Sequence, residues 1–253
     1  MSAVAHPLLR RRRGLWQLTL LLGVLFAYSR VRGLSRGSYD DALANADEVL
    51  TIQTLLGLPK EAGIQAWAAA HGPLMSFLSW SYLLAHFAGT ALVFLLTYRY
   101  RPRSFYWLRD TWMVASAIAL PFYALLPTAP PRLTAESGLH DSVTQLTPFG
   151  LEEGTASAFY HPYAAIPSMH VGTALLVAVA LSLGHRIPTR LALMVYPAFV
   201  TFTVVATGNH YWLDAVAGAA VAVVAMGVVW IWRHGRDEQA APFPVALAPT
   251  LKT

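Results

Sequence analysis

The segment from Trp212 to Trp232 reads WLDAVAGAAVAVVAMGVVWIW and contains a single charged residue, Asp214. An α-helix rises about 1.5 Å per residue, so about 20 apolar residues are needed to cross the roughly 30 Å of hydrocarbon in a bilayer. The segment therefore predicts a membrane-spanning helix. It also places His210 and Asp214 at the beginning of that helix.

The rest of the chain is equally unsuited to a soluble domain, because 56% of its 253 residues are hydrophobic and only 12% are charged. We predict an all-α integral membrane protein with a six-transmembrane-helix bundle in residues 15–232. A basic cytoplasmic N-terminus (1–14) precedes it, and a tail (233–253) that we expect to be disordered follows it. The predicted spans are Leu15–Val31, Leu74–Tyr98, Trp107–Leu126, Met169–His185, Leu191–Gly208 and Trp212–Trp232.

The first apolar stretch follows four arginines, Arg10–Arg13. It could be the core of a signal peptide, but no small-x-small cleavage site follows Tyr28, so we interpret it as an uncleaved anchor. The chain has no cysteine, which excludes disulfides and thiolate chemistry.

Basic residues predict the orientation, since Lys and Arg favour the cytoplasmic ends of spans. With the N-terminus inside, 13 of the 18 Lys and Arg residues lie on the cytoplasmic side and five on the outer side. The cluster of Arg30, Arg32 and Arg36 violates the rule locally. The prediction is N-in and C-in, in a membrane that we expect to be the bacterial cytoplasmic membrane.

Two outer segments are long enough to have structure. After Ser38, the residues Leu43, Ala46, Val49 or Leu50, and Leu55 follow helical spacing, which predicts an amphipathic helix on the outer membrane surface. The loop 127–168 is rich in Pro, Gly and Thr, which break helices. A long irregular loop between two spans usually contributes to function, so we expect this loop to take part in the site.

The residues best suited to chemistry are His210, Asp214 and His170, because ionisable groups at membrane helix ends are costly unless they function. His210 and Asp214 are four residues apart, so they share one helical face. The carboxylate could hold one ring nitrogen protonated and leave the other as a nucleophile, while His170 serves as the general acid. Ser168 fits the N-cap of the fourth span, whose free N–H groups could bind phosphate.

Other readings of these residues exist. A His–Asp pair one turn apart can be structural, and a histidine at a span end can be an interfacial anchor. The other histidines lack a comparable setting, and we interpret them as structural, with His161 the least certain. They are His71, His86, His140, His161, His185 and His234.

Three short motifs in this order resemble the type 2 phosphatidic acid phosphatase superfamily, and within it the inositol phosphorylceramide synthase branch. They are Leu126-Pro-Thr-Ala-Pro-Pro-Arg-Leu133, Ile166-Pro-Ser-Met-His-Val-Gly172 and Asn209-His-Tyr-Trp-Leu-Asp-Ala-Val-Ala-Gly218. The resemblance implies a six-helix bundle in which His210 forms a phosphohistidine, Asp214 is its partner and His170 is the acid.

The chain departs from the superfamily's pattern in its phosphate-binding cations, since no Arg occurs between Thr201 and Asn209. Arg101-Pro102 imitates part of the first motif, but the predicted topology puts it on the cytoplasmic side, and we interpret it as a decoy. Arg132, the only Lys or Arg in the long outer loop, is the candidate phosphate-binding cation, with Ser168 and Asn209 beside it. A snorkelling arginine is the alternative interpretation.

These residues predict an enzyme that cleaves a lipid phosphate or phosphodiester and passes the phosphoryl group to water or to an alcohol such as inositol or a sugar. No cofactor, metal or nucleic-acid partner is expected. Two alternatives use the same cluster. One is a metal-dependent hydrolase with His170, His210 and Asp214 as ligands, and the other is a non-catalytic lipid transporter or scaffold.

Overall fold

The fold comes from a computed structural model, which describes residues 7–34, 38–134, 137–148 and 163–239. Within these ranges the chain is helical, with one isolated β-bridge between Thr128 and Ala164. The α-helices are α1 (Pro7–Leu34), α2 (Tyr39–Leu55), α3 (Glu61–Ala69), α4 (Gly72–Leu83), α5 (Thr90–Tyr100), α6 (Pro102–Leu125), α7 (Ser142–Leu146), α8 (Met169–Ser182), α9 (Ile187–Leu193), α10 (Val195–Ala206) and α11 (Trp212–Gln239). The all-α prediction is confirmed for these residues.

The six predicted spans all fall on helices, but fewer helices pass a test of membrane-span length and composition. In the part of the chain that the structure describes, Ile187–Ala206 and Trp212–His234 pass it, and the bent pair Gly72–Leu83 and His86–Tyr100 counts as a third span if taken together. The apolar helix α8 covers only Met169–Ser182. Its 14 residues rise about 21 Å, less than the hydrocarbon thickness.

The second predicted span, Leu74–Tyr98, is not one straight helix. A π-helical segment, Leu84–Gly89, separates α4 from α5, and the axis bends by 44° there. A π-helical turn carries one extra residue per turn and shifts the direction of the side chains that follow, which is why such turns recur at functional sites. Periodicity in an apolar sequence cannot reveal it.

Helix α8 lies at the centre of the bundle and packs against α5, α6, α10 and α11. Most of its side chains are buried, and Leu176, Val177 and Ala180 form a core with Leu108 of α6 and Ala222 of α11. The outer faces of the bundle expose large apolar side chains instead. Examples are Leu22, Phe26, Leu95, Val224 and Ile231. An apolar belt of this kind is expected of an integral membrane protein, whose surface is solvated by lipid.

The predicted amphipathic helix forms as α2, and Ser38 caps it by accepting a hydrogen bond from the Asp41 N–H at 3.0 Å. Most of the predicted apolar face is buried, but against protein and not against lipid. Ala42, Ala46 and Val49 pack on protein, against Ala129 and Tyr211, whereas the predicted contact residue Leu55 is 82% exposed. The helix therefore covers the beginning of α11 rather than presenting this face to lipid.

Candidate active site

Two glycines let α8 and α11 cross at backbone contact. A Cβ on Gly172 would lie 2.8 Å from the Gly218 carbonyl oxygen, and a Cβ on Gly218 would fall on the Ser168 backbone. At the same crossing, the Ser168 N–H donates a hydrogen bond to the Asp214 carbonyl oxygen at 2.9 Å. This contact fixes the beginning of α8, with His170, against the beginning of α11.

His210 and Asp214 form a buried pair at that crossing. Nδ1 of His210 lies 3.2 Å from Oδ2 of Asp214, and the Asp214 side chain is fully buried. The same Oδ2 accepts the Tyr211 N–H at 2.9 Å. The carboxylate therefore caps the first turn of α11 and orients the imidazole at once, so the ring has little freedom to rotate.

His170 faces this pair from α8. Its ring centroid lies 5.7 Å from that of His210, with the planes inclined by 59°. The His170 ring also stacks on Tyr82, with centroids 4.4 Å apart and an angle of 22°. Two imidazoles at this separation are close enough to serve one small group bound between them.

His86 belongs to the same cluster, which the sequence analysis did not predict. Its ring centroid is 3.9 Å from that of His170, and it lies in the π-helical segment. His86 was predicted to lack a setting like that of the candidate catalytic residues. That prediction is wrong, because His86 packs against His170. The signal was an ionisable residue in the middle of an apolar span, a position that is costly unless the side chain faces the bundle interior.

A small cavity adjoins His170 and His86. It contains about 200 Å³ of empty space, part of it open to the outside. Polar residues share its wall with Phe199 and two valines of α10. The lining residues are Ser81, Tyr82, His86, His170, Phe199, Val200, Thr203 and Val204.

Ser168 stands at the N-cap of α8, as predicted, but its hydroxyl makes no capping hydrogen bond. The side chain is fully buried, and its Oγ has no hydrogen-bond partner within the described residues. Oδ1 of Asp214 and Oγ1 of Thr173 are also buried and have no hydrogen-bond partner within the described residues. Buried polar atoms are normally satisfied by protein or water, so each of these atoms has the capacity to hydrogen-bond to a polar ligand or an ordered water.

Asn209, predicted to contact phosphate, points its side-chain amide elsewhere. Its Nδ2 donates to Oγ1 of Thr207 at 3.0 Å and to the Thr207 carbonyl oxygen at 3.3 Å. The remaining polar atom, Oδ1, is an acceptor and cannot hydrogen-bond to an unprotonated phosphate oxygen. In this arrangement Asn209 shapes the turn before His210.

Arg132 lies beside the turn that carries His210. Its backbone N–H donates to the Gly208 carbonyl oxygen at 3.0 Å, two residues before the histidine. The side chain is 1% exposed, and Nε lies 3.1 Å from Oδ2 of Asp141. The snorkelling alternative requires a side chain that reaches the interface, and a side chain this buried does not fit it.

The remaining cations and histidines lie in other settings. Arg101 donates through both terminal nitrogens to the carbonyl oxygens of Leu181 and Leu183, at the end of α8 opposite His170, where a cation stabilises the last turn. In His71 and in His234, Nδ1 lies within hydrogen-bond distance of the backbone carbonyl oxygen four residues earlier in the chain. His161 lies outside the described residues.

Burial raises the pKa of the Tyr211 phenol, which is fully buried beside Asp214, so this group stays protonated at neutral pH.

Among the residues that the structure describes, no group of three or more His, Asp or Glu side chains has an arrangement that could hold a metal ion. The geometry therefore gives no support of its own to the metal-dependent alternative.

Comparison with known proteins gives one family and one solved structure. A sequence model of the PAP2 superfamily matches residues 47–228, which include every candidate site residue. No curated protein matches the chain. The crystal structure of Aquifex aeolicus LpxE is similar at 17% sequence identity and a TM-score of 0.49, over 61% of this chain and 84% of that chain.

Proposed function

The chain belongs to the PAP2 superfamily and is a phosphatase-type enzyme, and we propose that it acts on a lipid-linked phosphate ester at the outer face of a membrane. In this proposal His210 is the nucleophile, Asp214 orients it, and His170 is the general acid. The observation that supports it best is the 5.7 Å separation of the two histidine rings, with one ring tied to a buried carboxylate.

The hydrogen bond from Nδ1 to Asp214 leaves Nε2 of His210 to carry the lone pair. In the first step Nε2 attacks phosphorus, the bond from phosphorus to the lipid oxygen breaks, and His170 gives its proton to the departing alcohol. In the second step water or another alcohol attacks the phosphohistidine. His170 takes the proton of the attacking hydroxyl, the P–N bond breaks, and both side chains return to their starting state.

Phosphate charge is stabilised in this scheme by Arg132 and by the beginning of α8. The Arg132 backbone is bonded to the turn that carries His210, which supports a role for this cation near the reacting group. Ser168 offers a buried hydroxyl without a hydrogen-bond partner at the N-cap of α8. Asn209 remains a phosphate contact only if its amide leaves Thr207.

The topology is part of the proposal. Six spans with both termini inside put the beginnings of α8 and α11 on the outer side, as the distribution of 13 inner against five outer Lys and Arg residues favours. The apolar α8, too short to span a bilayer alone, then lies against the longer helices α6 and α11, and its beginning, which carries His170, lies in the outer half of a bacterial cytoplasmic membrane.

The identity of the acceptor is a finer proposal. The motifs around Arg132, His170 and His210 are similar to those of inositol phosphorylceramide synthases, which favours transfer to a polyol such as inositol or to a sugar over simple hydrolysis. Both outcomes share the same phosphohistidine, since only the second attacking hydroxyl differs.

The test uses the purified full-length protein with a panel of lipid phosphates and phosphodiesters, with and without inositol or sugar acceptors. We expect wild type to release phosphate or to form a phosphorylated acceptor, and His210→Ala to do neither. The matched control is His234→Ala, since that exposed histidine lies at the far end of α11 and packs on Trp230 of the same helix.

Two further measurements separate the mechanisms. Trapping with labelled substrate should give an acid-labile phosphoenzyme that His210→Ala lacks, and vanadate should inhibit whereas chelators should not. Chelator-sensitive turnover without a phosphoenzyme would instead support the metal-dependent hydrolase. Full function in His210→Ala would support the non-catalytic alternative.

A further inference from the structure

Two polar side chains from the outer helices reach the beginning of α11. Gln53, near the end of α2, accepts the Leu213 N–H with its Oε1 at 3.0 Å. Glu61, the first residue of α3, accepts the Trp212 N–H with its Oε1 at 3.3 Å. Nε2 of Gln53 donates to the same Glu61 oxygen at 2.8 Å, so the two side chains form one unit.

The first N–H groups of a helix have no partner inside the helix and need acceptors from elsewhere. At the beginning of α11 three consecutive N–H groups are satisfied by side chains: that of Tyr211, just before the helix, by Asp214, that of Trp212 by Glu61 and that of Leu213 by Gln53. The last two acceptors come from residues about 150 positions earlier in the chain. Both side chains belong to residues only 4% exposed.

A buried carboxylate is costly unless it is hydrogen-bonded or placed near positive charge. Glu61 has both compensations, because it accepts two hydrogen bonds and lies at the positive end of the α11 dipole. The first turn of α11 is therefore held by buried side chains of α2 and α3, two helices that do not carry the candidate catalytic residues.

We propose that Glu61 and Gln53 are positioning residues that fix the first turn of α11, and through it His210 and Asp214, for attack on phosphorus. This inference rests on the proposed function. Their hydrogen bonds go to the backbone N–H groups of Trp212 and Leu213. They act by holding the backbone from which Asp214 projects.

The hydrogen-bond network explains how displacement at this point would reach both histidines. Asp214 orients His210 through Oδ2, and the Asp214 carbonyl oxygen accepts the Ser168 N–H beside His170. A tilt of the first turn of α11 changes both distances together. Misplacement of reacting groups by about 1 Å costs on the order of a hundredfold in rate.

The experiment compares Glu61→Ala, Glu61→Gln and Gln53→Ala with wild type in the full-length enzyme, with phosphatidic acid in detergent micelles as the probe. Glutamine at position 61 keeps an oxygen that can accept the same two hydrogen bonds, whereas alanine keeps none. The matched control is Glu48→Gln, which removes one charge from an exposed position on α2. The readouts are kcat, KM, the rate of phosphoenzyme formation and the unfolding midpoint.

We expect Glu61→Ala and Gln53→Ala to lower kcat and the rate of phosphoenzyme formation by about tenfold or more, with KM within about twofold. Glu61→Gln should recover most of the loss, and Glu48→Gln should match wild type. A cap that only stabilises the fold would lower the unfolding midpoint and leave kcat per folded molecule unchanged. That result overturns the inference, and so does a Glu61→Gln variant as slow as Glu61→Ala.

Failure of this inference differs from failure of the proposed function. A wild-type enzyme that forms phosphohistidine while both alanine variants keep full kcat contradicts the positioning role alone. A wild-type protein that is inactive on every lipid phosphate and forms no phosphoenzyme contradicts both. Gln53→Ala keeps the Glu61 carboxylate, so its kcat tests the positioning role even if Glu61→Ala does not fold.

Discussion

A Cβ on Gly218 would lie closer than 3.0 Å to both the carbonyl oxygen and the carbonyl carbon of Ser168, a distance that real Cβ atoms do not adopt. The two helices that carry the candidate catalytic residues therefore meet through a backbone contact that only glycine permits. The Ser168 N–H completes this contact with its hydrogen bond to the Asp214 carbonyl oxygen. The distance between His170 and His210 depends on this crossing.

Gly218→Ala is expected to push α8 and α11 apart, because the obstructing atoms belong to the backbone and cannot rotate away. We expect turnover to fall by roughly a hundredfold or more, and stability to fall by about 1–3 kcal/mol. Turnover and the unfolding midpoint in detergent measure the two effects. Gly227→Ala is the matched control, since Gly227 lies on the same helix and a Cβ there would meet no atom within 4 Å other than its chain neighbours and the nearby helix backbone. Equal activity of the two variants would contradict the crossing argument.

Asp214→Asn removes the charge that holds Nδ1 of His210 while keeping an oxygen that can accept the Tyr211 N–H. We expect the helix cap to survive and the rate of phosphoenzyme formation to fall by roughly a thousandfold, because the imidazole loses its orienting anion. Single-turnover kinetics measure this rate. Asp47→Asn, on an exposed part of α2, serves as the charge control. A near-normal rate in Asp214→Asn would remove the carboxylate from the mechanism.

His86 is expected to act on His170 through ring packing, given the 3.9 Å between their centroids. His86→Ala should leave His170 free to move and lower kcat by about tenfold. His86→Phe keeps an aromatic ring in contact and should stay within about threefold of wild type. If both variants lose activity equally, the imidazole nitrogens of His86 are needed instead of its surface. If neither loses activity, His170 does not depend on His86.

Arg132→Ala is expected to lower turnover by about a hundredfold or more, because a cation near developing phosphate charge contributes on the order of 3 kcal/mol. The structure offers a sharp comparison in Asp141, whose carboxylate pairs with Nε of Arg132 and also caps α7 by accepting the Thr144 N–H. Asp141→Asn keeps a capping oxygen and leaves the guanidinium present, so it should stay within about threefold of wild type. If Asp141→Asn is as slow as Arg132→Ala, the ion pair matters for the loop fold and not for phosphate binding.

Local pattern was sufficient for much of the helical part of the fold. The apolar segment after Trp212 predicted α11, and the Ser38 cap followed by residues at helical spacing predicted α2. These features are decided by neighbouring residues, through capping hydrogen bonds and the length of an apolar run, so a single sequence contains them. The family follows in the same way from short motifs in a fixed order.

The prediction failed where distant residues determine the structure. The π-helical segment at Leu84–Gly89 interrupts a span that was predicted as one continuous helix, and it brings His86 to His170. The buried face of α2 was assigned to lipid, whereas Ala42 and Ala46 pack on Tyr211 and Ala129. Neither outcome leaves a periodic signal in the chain.

The sequence by itself determined that the chain is helical and apolar enough for a membrane, and that His210 stands four residues before Asp214 at the beginning of an apolar segment, because these features involve neighbouring residues only. Tertiary structure alone decided that His170 faces them, since this depends on two glycines 46 positions apart whose missing side chains let α8 and α11 touch. It also decided which acceptors complete the first turn of α11, because Gln53 and Glu61 come from a different part of the chain. Contacts of this kind depend on packing in three dimensions, which no window of neighbouring residues records.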